Sequence, residues 1–219
     1  MPDLNHFWAT PFYRGVTDHA KADALRDYIL GNEKASRRKR NSPQAAHPQV
    51  FESDFDFLDW PSPVTADLKQ MLYGHLGSVV KSANGLDDHA MRQLRFHNHC
   101  WFHITRRGGF FRQHNHPLAS WSLVYCVDPG DDEPPNDYEA GHLVFQDPRQ
   151  TASMYLDTAN RTLHREYSFD AVRLRPAKGD VLIFPSYIQH AVEPYGGKRP
   201  RITVAANFWF QTFKDSDSR

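Results

Sequence analysis

The chain is short of cysteine, of net charge and of long apolar runs, and each shortage removes a class of answer. Two cysteines in 219 residues, Cys100 and Cys126, cannot form a disulfide framework and fit core thiols in a reducing compartment. Twenty-six basic residues balance twenty-six acidic ones, so no global field draws the protein to nucleic acid or anionic lipid. No apolar run reaches the roughly 18 to 20 residues that cross a bilayer. The opening MPDLNHFWATPFY has neither the basic nor the apolar part of a secretory leader, so the expected location is cytoplasmic. Twelve glycines and fifteen prolines are ordinary usage, which excludes a collagen-like or low-complexity chain. No G-x-S-x-G elbow supports a hydrolase built on Ser120, Ser122 or Ser186, and Gly108-Gly109 and Gly196-Gly197 read as turns, not phosphate cradles.

Histidine is what the chain has in quantity. There are thirteen, and His97, His99, His103, His114 and His116 fall within one short stretch. Imidazole is the commonest metal ligand and the usual acid or base near neutrality, so the clustering points to a metal or catalytic site.

One domain is expected over 1–219, helical to about residue 90 and β-rich over about 91–213. Residues 17–30 read as a helix capped by Thr17 and stopped at Gly31. Residues 32–49, with Arg37, Arg38, Lys39 and Arg40 followed by Pro43 and Pro48, read as a solvated loop. A second helix is expected from Pro63 or Val64 to about Ser82, because Val64, Leu68, Met71, Leu72, Leu76 and Val79 recur at helical spacing. The segments 95–105, 121–127, 141–145, 167–173, 180–184 and 201–213 are short and rich in aromatic and β-branched residues. They predict an antiparallel sandwich or barrel of about eight strands with two helices packed outside. The acidic, proline-rich stretch 128–139 reads as a loop near the mouth of the site.

In HNHP, His114 and His116 are two residues apart, so on an extended segment both rings project to one side and can share a metal. His190, after the strand-like GDVLIFPS, is the leading third ligand; Glu193 and Asp147 are alternatives. Three ligands on one face of an octahedral ion leave room for a cosubstrate and O2, as in non-haem Fe(II) oxygenases. Along the last strand, Arg201, Thr203, Ala205, Asn207 and Trp209 share one face, and an arginine enclosed there, with Thr203 beside it, suits a carboxylate. His97, His99, Trp101 and His103 also share a strand face, which is read as polar or packing surface.

The order HNHP, SLVYCV, GHLVFQDPR, GDVLIFPSYIQH and PRITVAAN resembles the 2-oxoglutarate- and Fe(II)-dependent oxygenases of a bacterial prolyl-hydroxylase-like group, over about residues 95–213; WATPFY is a weaker echo. The resemblance implies a mainly β fold, a double-stranded β-helix (cupin-like jelly roll) with helices outside. It further implies Fe(II) as cofactor, 2-oxoglutarate as cosubstrate, His190 as the distal iron ligand, Arg201 as the residue holding the cosubstrate's far carboxylate, and Tyr125 as a cavity-lining tyrosine, with Asn207 a further candidate. Where that superfamily has His-X-Asp or His-X-Glu, this chain has His114-Asn115-His116. Either a third imidazole replaces the carboxylate, or another position such as Asp147 supplies it. The expected activity is a dioxygenase hydroxylating a small molecule or peptide. The alternatives are a three-histidine cupin-like dioxygenase or hydrolase working without 2-oxoglutarate, and a non-catalytic jelly-roll binding module. A homo-oligomer is compatible with the sequence.

Overall fold

The computed structural model describes residues 8–38, 48–131, 133, 136–149, 154–164 and 167–212. Lys39, Arg40 and Pro43 of the basic loop, Asp132, Pro134 and Pro135 of the acidic loop, and Phe213 lie outside the described residues. The elements are β1 (Tyr13–Val16), α1 (His19–Gly31), β2 (Val50–Glu52), α2 (Pro63–Asn84), α3 (Asp88–Arg92), β3 (Leu94–Thr105), β4 (Phe111–His114), β5 (Trp121–Asp128), β6 (Leu143–Phe145), β7 (Val172–Leu174), β8 (Asp180–Pro185), β9 (His190–Val192) and β10 (Arg201–Thr212). They form a six-stranded sheet, β1-β8-β5-β10-β3-β2, facing a four-stranded sheet, β4-β9-β6-β7. Every strand pairing is antiparallel, and the architecture is a jelly roll.

The helices form where local chemistry closes their ends. Ser62 accepts the Val64 N–H, Pro63 fills the first turn, and Gly85 ends α2 in the left-handed region at φ 62°. Thr65, Leu68, Leu72, Leu76 and Val80 then make the buried stripe of α2. Leu72 and Leu76 are fully buried, and truncating either to alanine removes about 2–5 kcal/mol. The cap of α1 is Asp18, which accepts from Ala20 N–H, and not Thr17, whose hydroxyl is engaged by the Gly179 carbonyl and the Tyr125 hydroxyl, each at 3.1 Å.

Among the described residues the strands number ten against about eight expected, because β1, β2, β4 and β9 are only three or four residues long and leave little trace in the sequence. The strand expected over 167–173 shrinks to β7, since Asp170 N–H turns back to Ser168 Oγ at 3.2 Å. The main core lies between the helices and the six-stranded sheet, with Ile202, Val204, Ala206 and Phe208 of β10 facing into it. A smaller core of Leu143, Phe145, Leu182, Phe184 and Ile188 joins the two sheets.

Just before β10, Tyr195 is 1% exposed and packs on glycines. A Cβ on Gly130 or Gly197 would fall 1.8 or 2.1 Å from its hydroxyl oxygen, and Gly130 has φ +84°. That hydroxyl donates to the Arg199 carbonyl at 2.6 Å and accepts Asp131 N–H at 3.0 Å. The Asp131 carboxylate in turn accepts Lys198 N–H at 2.6 Å and Arg199 N–H at 3.1 Å.

Candidate active site

Antiparallel pairing sets His114, the last residue of β4, opposite His190, the first of β9, and the turn after β4 brings His116 beside them. The ring centroids of His114 and His190 are 4.4 Å apart, those of His114 and His116 5.1 Å, and those of His116 and His190 5.2 Å. One ligand nitrogen from each lies within 4.8 Å of the other two. The Nδ1 atoms of His114 and His190 face the carbonyls of Arg112 (2.7 Å) and Ile188 (2.9 Å). Donation from each Nδ1–H fixes the tautomer and leaves the Nε2 lone pair for a ligand.

Burial moves both rings toward the neutral form. His190 is pushed down to about 3, first by desolvation and then by His114, and desolvation also lowers His114. Neutral imidazole is the ligating state. Phe145 and Phe184 close over His190, with ring centroids 6.0 and 5.1 Å away. Three imidazole nitrogens held this way fit a divalent first-row metal such as Fe(II).

The carboxylate alternatives are engaged elsewhere. Asp147 accepts two hydrogen bonds from the Arg149 guanidinium, at 2.6 and 3.0 Å, and one from its backbone N–H. Glu193 pairs with Arg173 at 2.7 Å. Among the described residues, neither joins the group of potential ligands.

The three rings open on a cavity of about 230 Å³ whose floor along β10 includes Arg201, Thr203 and Asn207. Arg201 is 4% exposed, and burial pushes its guanidinium below the usual value. No ion pair to it occurs among the described residues. A buried guanidinium of this kind has the charge to receive an anion, and its fork geometry matches a carboxylate. Asn207 Oδ1 accepts the Ser122 hydroxyl at 2.8 Å, and Ser122 and Ser186 hydroxyls meet at 2.8 Å.

One expected residue is on the wrong side. Tyr125 pairs with Val204, so both point into the helix-covered core, and the Tyr125 hydroxyl meets Thr17 rather than the cavity. His99, Trp101 and His103, from the strand face expected to be polar or packing surface, line the cavity together with Glu52 and Phe55, which the sequence did not suggest. Glu52 Oε2 lies 2.9 Å from His103 Nε2, and Trp101 Nε1–H donates to the same nitrogen at 2.9 Å. His97 instead stacks on Trp209, with centroids 5.7 Å apart.

Jelly roll, clustered imidazoles and an enclosed arginine together define a metal-dependent protein of the double-stranded β-helix class. Residues 99–207, about half of the chain, match the family model described as "Putative 2OG-Fe(II) oxygenase", and the chain belongs to that family of 2-oxoglutarate-dependent oxygenases. Solved structures share the fold. A prolyl-4-hydroxylase from Pseudomonas putida is 15% identical, with TM-score 0.59 over 90% of this chain and 91% of that one. HygX from Streptomyces hygroscopicus, solved with nickel and 2-oxoglutarate, is 14% identical, with TM-score 0.55 over 91% and 82%. A prolyl hydroxylase from Trichoplax adhaerens, solved with a hypoxia-inducible-factor peptide, is 14% identical, with TM-score 0.54 over 95% and 87%. No curated protein matches the sequence.

Proposed function

We propose that this 2-oxoglutarate- and Fe(II)-dependent oxygenase hydroxylates a small molecule or peptide, with His114, His116 and His190 holding the iron and Arg201 holding the cosubstrate. The observation that supports it best is the convergence of three imidazole nitrogens and one buried arginine on a single cavity. Bound iron supplies the oxidising chemistry with O2 and 2-oxoglutarate, which leaves as succinate and CO2. The protein's part is positioning. Arg201 fixes the far carboxylate, Thr203 lies two residues along the same face, and the Ser122–Asn207 hydrogen bond keeps the floor ordered. Phe145 and Phe184 exclude water behind His190. Neutral histidine in place of a carboxylate leaves the centre one charge more positive, which a dianionic cosubstrate offsets. We read the chain as one working unit and place it in the cytoplasm; among the described residues no helix is long and apolar enough to cross a membrane.

Anaerobic titration of the iron-loaded protein with 2-oxoglutarate tests the reading. A visible metal-to-ligand charge-transfer band, and succinate release once air is admitted, are expected. The ligand group contains no carboxylate, which favours one other reading, a three-histidine metalloenzyme that does not use 2-oxoglutarate. Absence of the band in protein with full iron occupancy would select it.

A further inference from the structure

The three imidazoles stand among rings, and no negative charge joins them. Phe111 lies 6.4 Å from His114, Trp101 6.0 Å from His116 and Phe184 5.1 Å from His190, all between ring centroids. The nearby carboxylates are engaged with partners of their own. Glu52, the sole carboxylate among the described residues lining the cavity, is 2.9 Å from His103. Asp147 pairs with Arg149 at 2.6 Å, and Glu193 pairs with Arg173 at 2.7 Å. The cavity's other charged side chain is Arg201, which is positive, 4% exposed and in no ion pair among the described residues.

Such a surrounding bears on the oxidation state of a bound iron. Loss of one electron takes ferrous iron from a charge of two to a charge of three. A ligand set of two imidazoles and a carboxylate meets the added charge with a negative one bonded to the metal, whereas three neutral imidazoles bring none. The rings of Phe111, Trp101 and Phe184 keep bulk water from doing so instead. Charges about 4 Å apart interact roughly fourfold more strongly at an effective dielectric near 20 than in water, so the missing charge counts for more in this enclosure. Arg201, sharing the cavity, acts in the same direction. Among the ligands it is His116 that decides the balance, because it stands where a carboxylate would make the set anionic.

We infer that His116 holds the resting iron ferrous in air: with three neutral ligands and Arg201 in one enclosed cavity, transfer of an electron from Fe(II) to O2, giving Fe(III) and superoxide, is disfavoured while no cosubstrate is bound. The inference rests on the proposed ligand set of His114, His116 and His190. The test uses the full chain loaded without oxygen with one equivalent of Fe(II), with no 2-oxoglutarate present, and then moved to air-saturated buffer near pH 7. Electron paramagnetic resonance counts the ferric iron as it forms, and metal analysis gives the iron bound. His116→Asp, which adds the carboxylate, is expected to turn ferric about tenfold faster than the parent or more. The parent's iron is also expected to outlast ferrous ion free in the same buffer. A parent that oxidises as fast as His116→Asp, or as fast as the free ion, would overturn the inference. The second comparison needs no variant, so it decides the matter if His116→Asp does not hold iron. A folded parent that binds no iron would instead overturn the ligand set itself, and metal analysis separates that result from rapid oxidation of bound iron.

Discussion

Replacing Arg201 by methionine separates what the arginine costs from what it does. Methionine has similar length and no charge, so the strand and its packing persist while the guanidinium is lost. Arg201 is 4% exposed and no carboxylate pairs with it among the described residues, so the ligand-free protein carries an uncompensated buried charge. Exchanging such a charge for an apolar side chain is expected to stabilise the ligand-free fold by about 1–4 kcal/mol, and each kcal/mol raises Tm by about 2–4 °C at this size. On the proposed function, the same exchange leaves the cosubstrate's far carboxylate without its partner. That loss is about 2–5 kcal/mol, or roughly thirtyfold to several thousandfold in Kd. At a 2-oxoglutarate concentration near 100 times the parent's Kd, the parent gains about 2.7 kcal/mol from binding, and the variant should gain under about 1 kcal/mol. Thermal unfolding of the metal-loaded proteins with and without 2-oxoglutarate, backed by calorimetric titration, reads both effects. A variant that keeps the full ligand-induced rise in Tm, or is less stable than the parent without ligand, would refute the reasoning.

His116→Ala is expected to lose stoichiometric iron while Asp147→Ala keeps it, because Asp147 is bound to Arg149 instead of the imidazoles; metal analysis of folded protein decides, and the reverse pattern sinks the three-histidine set. In the metal-free protein, burial holds His190 at about 3 against an ordinary 6.5. The unfolded chain therefore binds a proton that the folded one refuses, so this contribution is full above about 6.5 and is lost as pH falls toward about 3. Urea midpoints between about pH 7 and pH 4 should drop more steeply for the parent than for His190→Gln, and parallel curves would exclude the effect. Gly130→Ala should cost about 2–4 kcal/mol, since its Cβ meets the Tyr195 hydroxyl at 1.8 Å and its φ is +84°; an unchanged denaturation midpoint would contradict this.

The long elements were legible because their signals are local. The apolar spacing of α2 is set by the helical period, and Pro63 marks its start; β3, β5 and β10 announce themselves by β-branched and aromatic content. Short strands such as His-Ala-Val of β9 carry no period at all, and form because β4 and β6 lie on either side of them. His114, His116, His190 and Arg201 could be read as candidates because each sits in a distinctive short motif. Tyr125 was misplaced because alternation along β5 does not say which face is inward; pairing with Val204 does. Glu52 carried no signal, since its contact with His103 spans 51 residues and exists only through the register of β2 on β3.

Tyr195 and Asp131 bear on what ligand capture demands of the chain. The Asp131 carboxylate grips the backbone of Lys198 and Arg199, and the Tyr195 hydroxyl bridges Asp131 and Arg199. The chain leaving β5 is thereby stitched to the chain entering β10, two residues ahead of Arg201. The backbone that aims the guanidinium is immobilised when the protein folds, so the entropy of ordering it is spent at folding and not again at capture. On the proposed function, an anion entering the cavity meets a receptor already in position, and its affinity reflects the strength of the contacts made rather than the difficulty of assembling them.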